Sequence, residues 1–322
     1  MVSSSPADPS DSSFTPSGLP TRILSSSQLA VLNARANSQG FRQFAGHLTV
    51  LVASGAIWAT QGDRPGLALP ALMVYGFSLA AMFAPMHECG HRTAFANPRI
   101  NDAVAWIAGV LSFYNSTFYR AYHKWHHRYT QIPGKDPELE DAKPTTWAQY
   151  WAELSGWNWW LGKIRTHTRV AMGHLDDFPY ISVAARAETI RSTRLQLLVY
   201  GAAIALSIGF RQPWFLQYWL IPLAVGQPIL RTILLAEHTG CTNDNNYLSN
   251  TRTTLTFAPL RWLMWNMPFH AEHHLYPSIP FHALPTAHTQ LRPHFAQVAP
   301  GYGAVHRQIQ MGFKPVTPVS TP

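Results

Sequence analysis

The sequence predicts an all-α integral membrane protein, with four transmembrane helices in two hairpins and a cytosolic helical cap that carries three histidine clusters. Three observations lead there. Charged residues make up 12% of the 322-residue chain and hydrophobic ones 47%, whereas soluble domains carry about 25% charge. Four apolar stretches fall into two pairs, each joined by a very short polar turn. Sixteen histidines are present, and half of them sit in three short windows.

Residues 1–40 are rich in Ser and Pro and weakly hydrophobic, the composition of a flexible cytosolic tail. A membrane domain is expected over 41–300, followed by a loose C-terminal tail over 301–322. A span needs about 20 mainly apolar residues. The candidates are 43–60, 67–86, 195–210 and 213–236. The first and third are marginal alone, but the turns Gln61–Gly66 and Arg211–Gln212 tie each to a stronger neighbour and make two hairpins.

Charge sets the orientation. With both hairpin tips outside, only Arg64 and Arg211 lie there, and nearly all other Lys and Arg fall on the opposite face, which is cytosolic by the positive-inside rule. Both termini are then cytosolic, and the net charge of +8 is largely topological. No basic run or nucleic-acid motif accompanies it, so no nucleic-acid partner is expected. The Trp-rich segment 151–160 reads as interfacial. Two cysteines, Cys89 and Cys241, exclude a disulfide scaffold and a four-cysteine zinc site. Arg231, inside the fourth stretch, either marks a polar cavity or snorkels to the cytosolic interface, which its place near the end favours.

The histidine clusters are His87-x3-His91, His123-x2-His126-His127 and His270-x2-His273-His274. Positions i, i+3 and i+4 share a helix face, so each cluster aims two or three imidazoles one way. Neutral imidazole is the commonest metal ligand. The scattered His47, His167, His174, His282, His288, His294 and His306 read as ordinary core or surface side chains. Eight imidazoles exceed what one ion takes with a position left open, so two metals fit the count. All clusters must then lie on one side of the membrane. The apolar stretch 103–119, between the first two clusters, must therefore lie along the membrane rather than cross it.

His87-Glu88-Cys89-Gly90-His91 also spells H-E-x-x-H. A zinc intramembrane metallopeptidase, with Glu88 as general base, is the competing enzyme reading. It leaves the second and third clusters without a role. A metal transporter would place its ligands near the bilayer midplane, whereas these clusters lie outside the spans.

The order H-x3-H, H-x2-HH, H-x2-HH between hydrophobic hairpins resembles the membrane-bound fatty acid desaturase and hydroxylase family over about 43–290. The first cluster, HECGH, is similar to that of oleate-type acyl desaturases. Asn266–Pro277 (NMPFHAEHHLYP) and Ala236-Glu237-His238 resemble sphingolipid desaturases, and 123–138 (HKWHHRYTQIPGKDPE) resembles carotenoid ketolases and small-metabolite desaturases.

The resemblance implies a di-iron centre held by histidine, a hydrophobic tunnel, O2 as co-substrate, and electrons from a separate donor of cytochrome b5 or ferredoxin type. Membrane lipid surrounds such an enzyme, in the endoplasmic reticulum if eukaryotic or the inner membrane if bacterial. The implied reaction introduces a double bond into an aliphatic, fatty-acyl or lipid-like chain, with hydroxylation of a lipid or specialised metabolite as the runner-up. His238 matches the family's additional ligand near the end of the fourth span. The family's asparagine four residues earlier is Leu234 here, so that role does not carry over, and Asn266 becomes the candidate polar neighbour. Glu88, Glu237, Asp136 and Glu272 are candidates to orient imidazoles from behind.

Overall fold

A computed structural model describes residues 23–313. The chain is almost wholly helical. Its fourteen α-helices among the described residues are α1 (Ser26–Leu32), α2 (Asn37–Thr60), α3 (Pro65–Ala80), α4 (Phe83–Gly90), α5 (Pro98–Leu111), α6 (Ser116–Tyr129), α7 (Trp147–Leu154), α8 (Trp157–Ala171), α9 (Val183–Gly209), α10 (Ile221–His238), α11 (Ala258–Leu263), α12 (His270–Leu275), α13 (Leu284–Leu291) and α14 (Tyr302–Met311). Two short strands, β1 (Thr253–Thr254) and β2 (Val298–Ala299), pair in parallel.

Two helical runs, Pro65–Gly90 and Leu216–His238, are long and apolar enough to cross a membrane. α2 and α9 have 24 and 27 residues. At 1.5 Å per residue they reach about 36 and 40 Å, beyond the roughly 30 Å of a hydrocarbon core. Polar residues dilute their hydropathy. In α9 these are Arg186, Glu188, Arg191 and Arg194, so the helix begins twelve residues before the expected span at 195. Val52, Leu69, Met73, Leu198 and Leu206 point outward from α2, α3 and α9 and are exposed.

Two prolines shape the spans. The α3 run breaks at Ala81–Met82 and restarts as α4, because Pro85 has no N–H to give the Ala81 carbonyl and its ring crowds that oxygen. The run Leu216–His238 opens with a π-helical turn, Leu216–Leu220, just before Pro222. Carbonyls there take side-chain donors instead: Tyr75 Oη donates to Tyr218 O at 2.7 Å and Trp58 Nε1 to Gln217 O at 3.1 Å. An apolar medium demands such internal partners. α3 and α10 meet backbone to backbone at Gly76 and Gly226, where any Cβ would overlap the opposite helix.

Three expectations need correction. Residues 23–40 are not a loose tail. α1 begins with a capping box between Ser25 and Gln28, and Leu24 and Leu32 pack with Phe269, Ile279, Leu284 and Leu291. The expectation for 1–22 falls outside the described residues. Residues 301–312 are not loose either: α14 buries Val305 and Ile309 against Tyr150 and Leu235, while 314–322 lie outside the described residues. The stretch 103–119 is not one segment. α5 ends at Leu111, Phe113 adopts φ 60°, and Asn115 caps α6 through the Phe118 N–H. Each half has 14 residues, about 21 Å, too short to cross. The Trp-rich segment splits its rings: Trp151 and Trp157 are exposed, whereas Trp159 and Trp160 pack on the core.

Candidate metal centre

α4, α6, α10 and α12 converge their polar ends, and nine histidines meet there. His87 and His91 come from α4, His123, His126 and His127 from α6, His238 from the C-terminus of α10, and His270, His273 and His274 from α12. They sort into two groups. In the first, one ring nitrogen each of His87, His91, His123, His127 and His273 lies within 4.8 Å of all the others. His126, His238 and His274 form the second by the same measure. His270 belongs beside them, its Nε2 being 3.1 Å from both His238 Nε2 and His274 Nε2. His127 and His274 stack at 4.2 Å between centroids and join the groups.

The hydrogen bonds behind the rings fix the tautomers of the second group. His238 Nδ1 faces the Asn250 carbonyl at 3.1 Å. A carbonyl only accepts, so Nδ1 carries the proton and Nε2 presents a lone pair inward. His126 Nδ1 likewise donates to Asp136 Oδ1 at 2.8 Å. Thr130 Oγ1 already donates to His126 O, so it accepts from His274 Nδ1 at 3.2 Å. Three lone pairs thus aim at one point.

The first group has no such relief. His127 Nε2 stands 3.0 Å from His123 Nε2 and 3.1 Å from His273 Nε2. Buried nitrogens without any hydrogen-bond partner include both of His87, Nε2 of His91 and Nδ1 of His123 and His273. Orphaned buried polar atoms at this density are costly. A cation at the centre of each group satisfies the inward lone pairs, so the donor set fits a pair of transition-metal ions.

Burial and the neighbouring imidazoles hold His123, His127, His270, His273 and His274 well below the ordinary histidine range. Burial and Arg120 bring His91 to about 4. These rings are neutral and ready to ligate. His126 runs the other way: burial opposes it, but the Glu138 and Asp136 carboxylates hold it above the usual value.

The carboxylate expectations divide. Asp136 stands behind His126 as expected, and also accepts from the Gln131 and Glu138 N–H groups. Glu237 does not stand behind a ring. Its Oε2 is 3.5 Å from the inward-facing Nε2 of His270, on the side where a metal would sit. Glu272 accepts from His288 Nδ1 at 2.5 Å and from Thr253 Oγ1, so its imidazole partner lies outside the centre. Glu88 touches no imidazole. Its Oε1 accepts from Thr93 Oγ1 at 2.5 Å and from the Phe281 N–H at 3.0 Å, which pins the loop after α12 to α4. Asn266 faces away as well: at φ 59° it turns the chain and its amide donates to Phe281 O at 3.0 Å.

Sequence reasoning missed Thr130, Asn250 and Glu138. Glu138, whose Oε2 is 3.8 Å from His126 Nε2, follows Asp136 by two residues in the same acidic turn. The isolated His47 and His306 are satisfied inside the protein, by Ser78 O and Trp265 Nε1 in one case and by Tyr150 Oη and Thr232 O in the other. The peptidase reading fails here, because Glu88 is engaged away from the rings and His87 and His91 join three further histidines.

A cavity of about 400 Å³ adjoins the centre. His87, His123, His126 and His270 line it together with Phe83, Tyr114 and Tyr119.

Comparison with known proteins agrees with this geometry. The model of the family "fatty acid desaturase" matches residues 65–308. The chain is 25% identical over 251 residues to the sn-1 oleoyl-lipid 12-desaturase of Picosynechococcus sp., covering 72% of this chain and 71% of that protein. It is 28% identical to the sn-1 oleoyl-lipid 12-desaturase of Arthrospira platensis, over 59% of this chain and 55% of the relative. It is 25% identical to the sphingolipid delta(4)-desaturase/C4-monooxygenase DES2 of Homo sapiens, over 73% and 69% of the two chains. The family match spans all nine histidines, and with it the chain belongs to the fatty acid desaturase family of oxidoreductases.

Proposed function

We propose that the protein is an O2-dependent, non-haem di-iron oxidoreductase that desaturates an aliphatic chain, drawing electrons from a separate donor of cytochrome b5 or ferredoxin type. The observation that carries this is the convergence of nine histidines into two adjacent groups beside a cavity that is lined in part by aromatic rings. Iron bound there supplies the O2-reducing power needed to remove hydrogen from an unactivated carbon.

The protein's own residues do the rest. His87, His91, His123, His127 and His273 would hold one ion, and His126, His238, His270 and His274 the other. Asp136, the Asn250 carbonyl and Thr130 keep Nδ1 protonated on their rings, so that each Nε2 stays a ligand. Phe83 and Tyr119 press against His87 and His123 and line the cavity, which gives the chain an aromatic wall beside the centre. The resemblance and the long α2 and α9 support four spans. The charge bias supports a cytosolic centre and cytosolic termini, and the short α5 and α6 support a non-crossing 103–119.

The test is direct. Iron per chain is measured in detergent-purified protein, and the reduced protein is given O2 and lipid extract. About two irons, with loss of two hydrogens from a chain, is the expected result. About one zinc with peptide cleavage, or two irons without any altered chain, overturns the reading. Gain of a hydroxyl instead makes the enzyme a hydroxylase, a direction favoured by the double name of the DES2 relative.

A further inference from the structure

The cavity that meets the histidine centre contains two cations without a counter-ion. Lys163, on α8, places Nζ 3.7 Å from the centroid of the Tyr114 ring. Arg231, on α10, donates from Nη2 to the Tyr114 hydroxyl at 2.8 Å, and Trp159 Nε1 donates to the same oxygen at 2.9 Å. All four residues line the cavity. The Nε of Arg231 is buried with no partner. Among the described residues no carboxylate comes within 4.0 Å of either cation. Of the acids lining the same cavity, Glu138 faces His126 and Glu237 turns Oε2 to His270 while it feels Arg231 from beyond ion-pair distance, and Glu140, Asp141 and Glu153 sit on the 137–144 segment and α7.

Lys163 and Arg231 are half-buried, and two like charges held together in a partly desolvated cavity are costly unless an anion joins them. The strain registers on Lys163, whose ammonium is pushed down to about 7, by burial first and by Arg231 second. Snorkelling does not account for Arg231, since its guanidinium is tied to Tyr114 inside the cavity wall. The position along α10 matters too. Arg231 precedes His238 by two helical turns on one face, a rise of roughly 10 Å.

We propose that the cavity takes a chain with an anionic head, a carboxylate or phosphate, and that Lys163 and Arg231 hold this head while the carbons beyond it run to the histidine centre. The substrate class is an acidic amphiphile oxidised a short distance from its head. A neutral glyceride with its acyl chain buried end-on does not complete this site. Only the assignment of the far end to the reacting carbon rests on the desaturase reading. The cationic subsite stands on its own geometry.

The test is a binding measurement that needs no turnover. Purified full-length protein in neutral maltoside detergent is titrated with decanoate, decyl phosphate and decanol, with the fluorescence of Trp159 and its neighbours as the signal. The anions are expected to bind about tenfold or more tightly than decanol, the worth of one charge-assisted contact. Lys163→Gln is expected to bring that ratio close to one with the melting temperature unchanged. Arg231→Lys, which keeps the charge, is expected to retain most of it and guards against misfolding of a charge-removing change beside Tyr114. Equal affinity for decanoate and decanol in the natural protein, or an undiminished ratio in Lys163→Gln, overturns the proposal. Nanodiscs separate the sources of the head. Displacement of decanoate by phosphatidylglycerol but not phosphatidylcholine makes it a bilayer lipid, and no displacement by either makes it a free amphiphile. A tenfold preference in a protein that oxidises nothing sinks the desaturase reading and leaves this one standing.

Discussion

Asp136 Oδ1 accepts the Nδ1–H of His126 at 2.8 Å, with both side chains buried. This one contact orients the ring, fixes its tautomer and raises its basicity. Asp136→Asn removes the charge and leaves the imidazole free to flip its tautomer. Iron at the His126, His238, His270 and His274 group is expected to bind about 10–100-fold more weakly, so that dialysis against a mild chelator is expected to leave about one iron per chain in the variant and two in the natural protein. Retention of both irons would show that Asp136 serves only the turn that follows α6.

Glu272 carries a different duty. Its carboxylate joins Thr253 on β1 to His288 on α13, and so clamps α12 between them. Glu272→Ala leaves a buried hydroxyl and a buried imidazole nitrogen unpaired, at a cost of about 2–4 kcal/mol. The expected signature is a melting temperature lowered by several degrees with near-normal iron content in the protein that stays folded. Loss of iron without loss of stability would return Glu272 to the ligand shell.

The convergence of the clustered histidines was legible because their spacing is local. HxxHH twice and HxxxH once put imidazoles on helix faces whatever the rest of the chain does. His238 has no such pattern and needed the resemblance. The partners of the acids were not legible: Glu88 meets the Phe281 N–H across 193 positions, and no local rule aims a side chain that far. The N-terminal segment was misread for a different reason. Its Ser and Pro content masked a capping box, Ser25-x-x-Gln28, which is a local signal of a helix start. The two apolar runs Pro65–Gly90 and Leu216–His238 were legible in position, whereas the length of α9 was not, because its charged first half is helical by packing rather than by hydropathy.

The contact of α3 with α10 tolerates no side chain. A Cβ on Gly226 would lie 1.9 Å from the Gly76 carbonyl oxygen and 2.8 Å from the Phe77 nitrogen. Backbone cannot yield as a side chain tip does, and small residues are what let membrane helices approach this closely. Gly226→Ala is expected to cost about 3 kcal/mol or more, seen as loss of monodisperse protein on gel filtration. Ala at Gly201, whose Cβ meets nothing within 4 Å, is the matched control and should elute normally.

Asp102 links the first histidine helix to the second. It accepts from Arg92, just past α4, and from Arg120 on α6. Burial opposes ionisation, but the two guanidiniums hold its carboxyl below the usual range. A depressed folded pKa adds stability above the unfolded value, near 3.9, and that stability fades as pH falls through the folded value. The site is 40% exposed, so solvent screening limits Asp102→Asn to about 0.5–1 kcal/mol. Denaturation midpoints of the two proteins should differ by a constant amount from pH 5 to 8, begin to converge near pH 4 and merge only below the depressed folded value. A gap that widens on acidification would contradict the assignment.

Two histidines separate the centre from its frame. His126 points its Nε2 lone pair at the second group, while His306 accepts from Tyr150 Oη at 2.9 Å and donates from Nε2 to Thr232 O at 2.8 Å. His126→Ala is expected to abolish turnover and to lower the iron count, with some loss of stability because the buried Asp136 carboxylate loses a partner. His306→Ala removes two buried hydrogen bonds between α7, α10 and α14, worth about 1–3 kcal/mol. It should lower the melting temperature while the iron count and the turnover per folded molecule stay at natural levels. Iron count and turnover thus tell the two variants apart. If His126→Ala kept full turnover, the second cluster would lose its place at the centre, because no other ring reaches the Asp136 carboxylate to replace it.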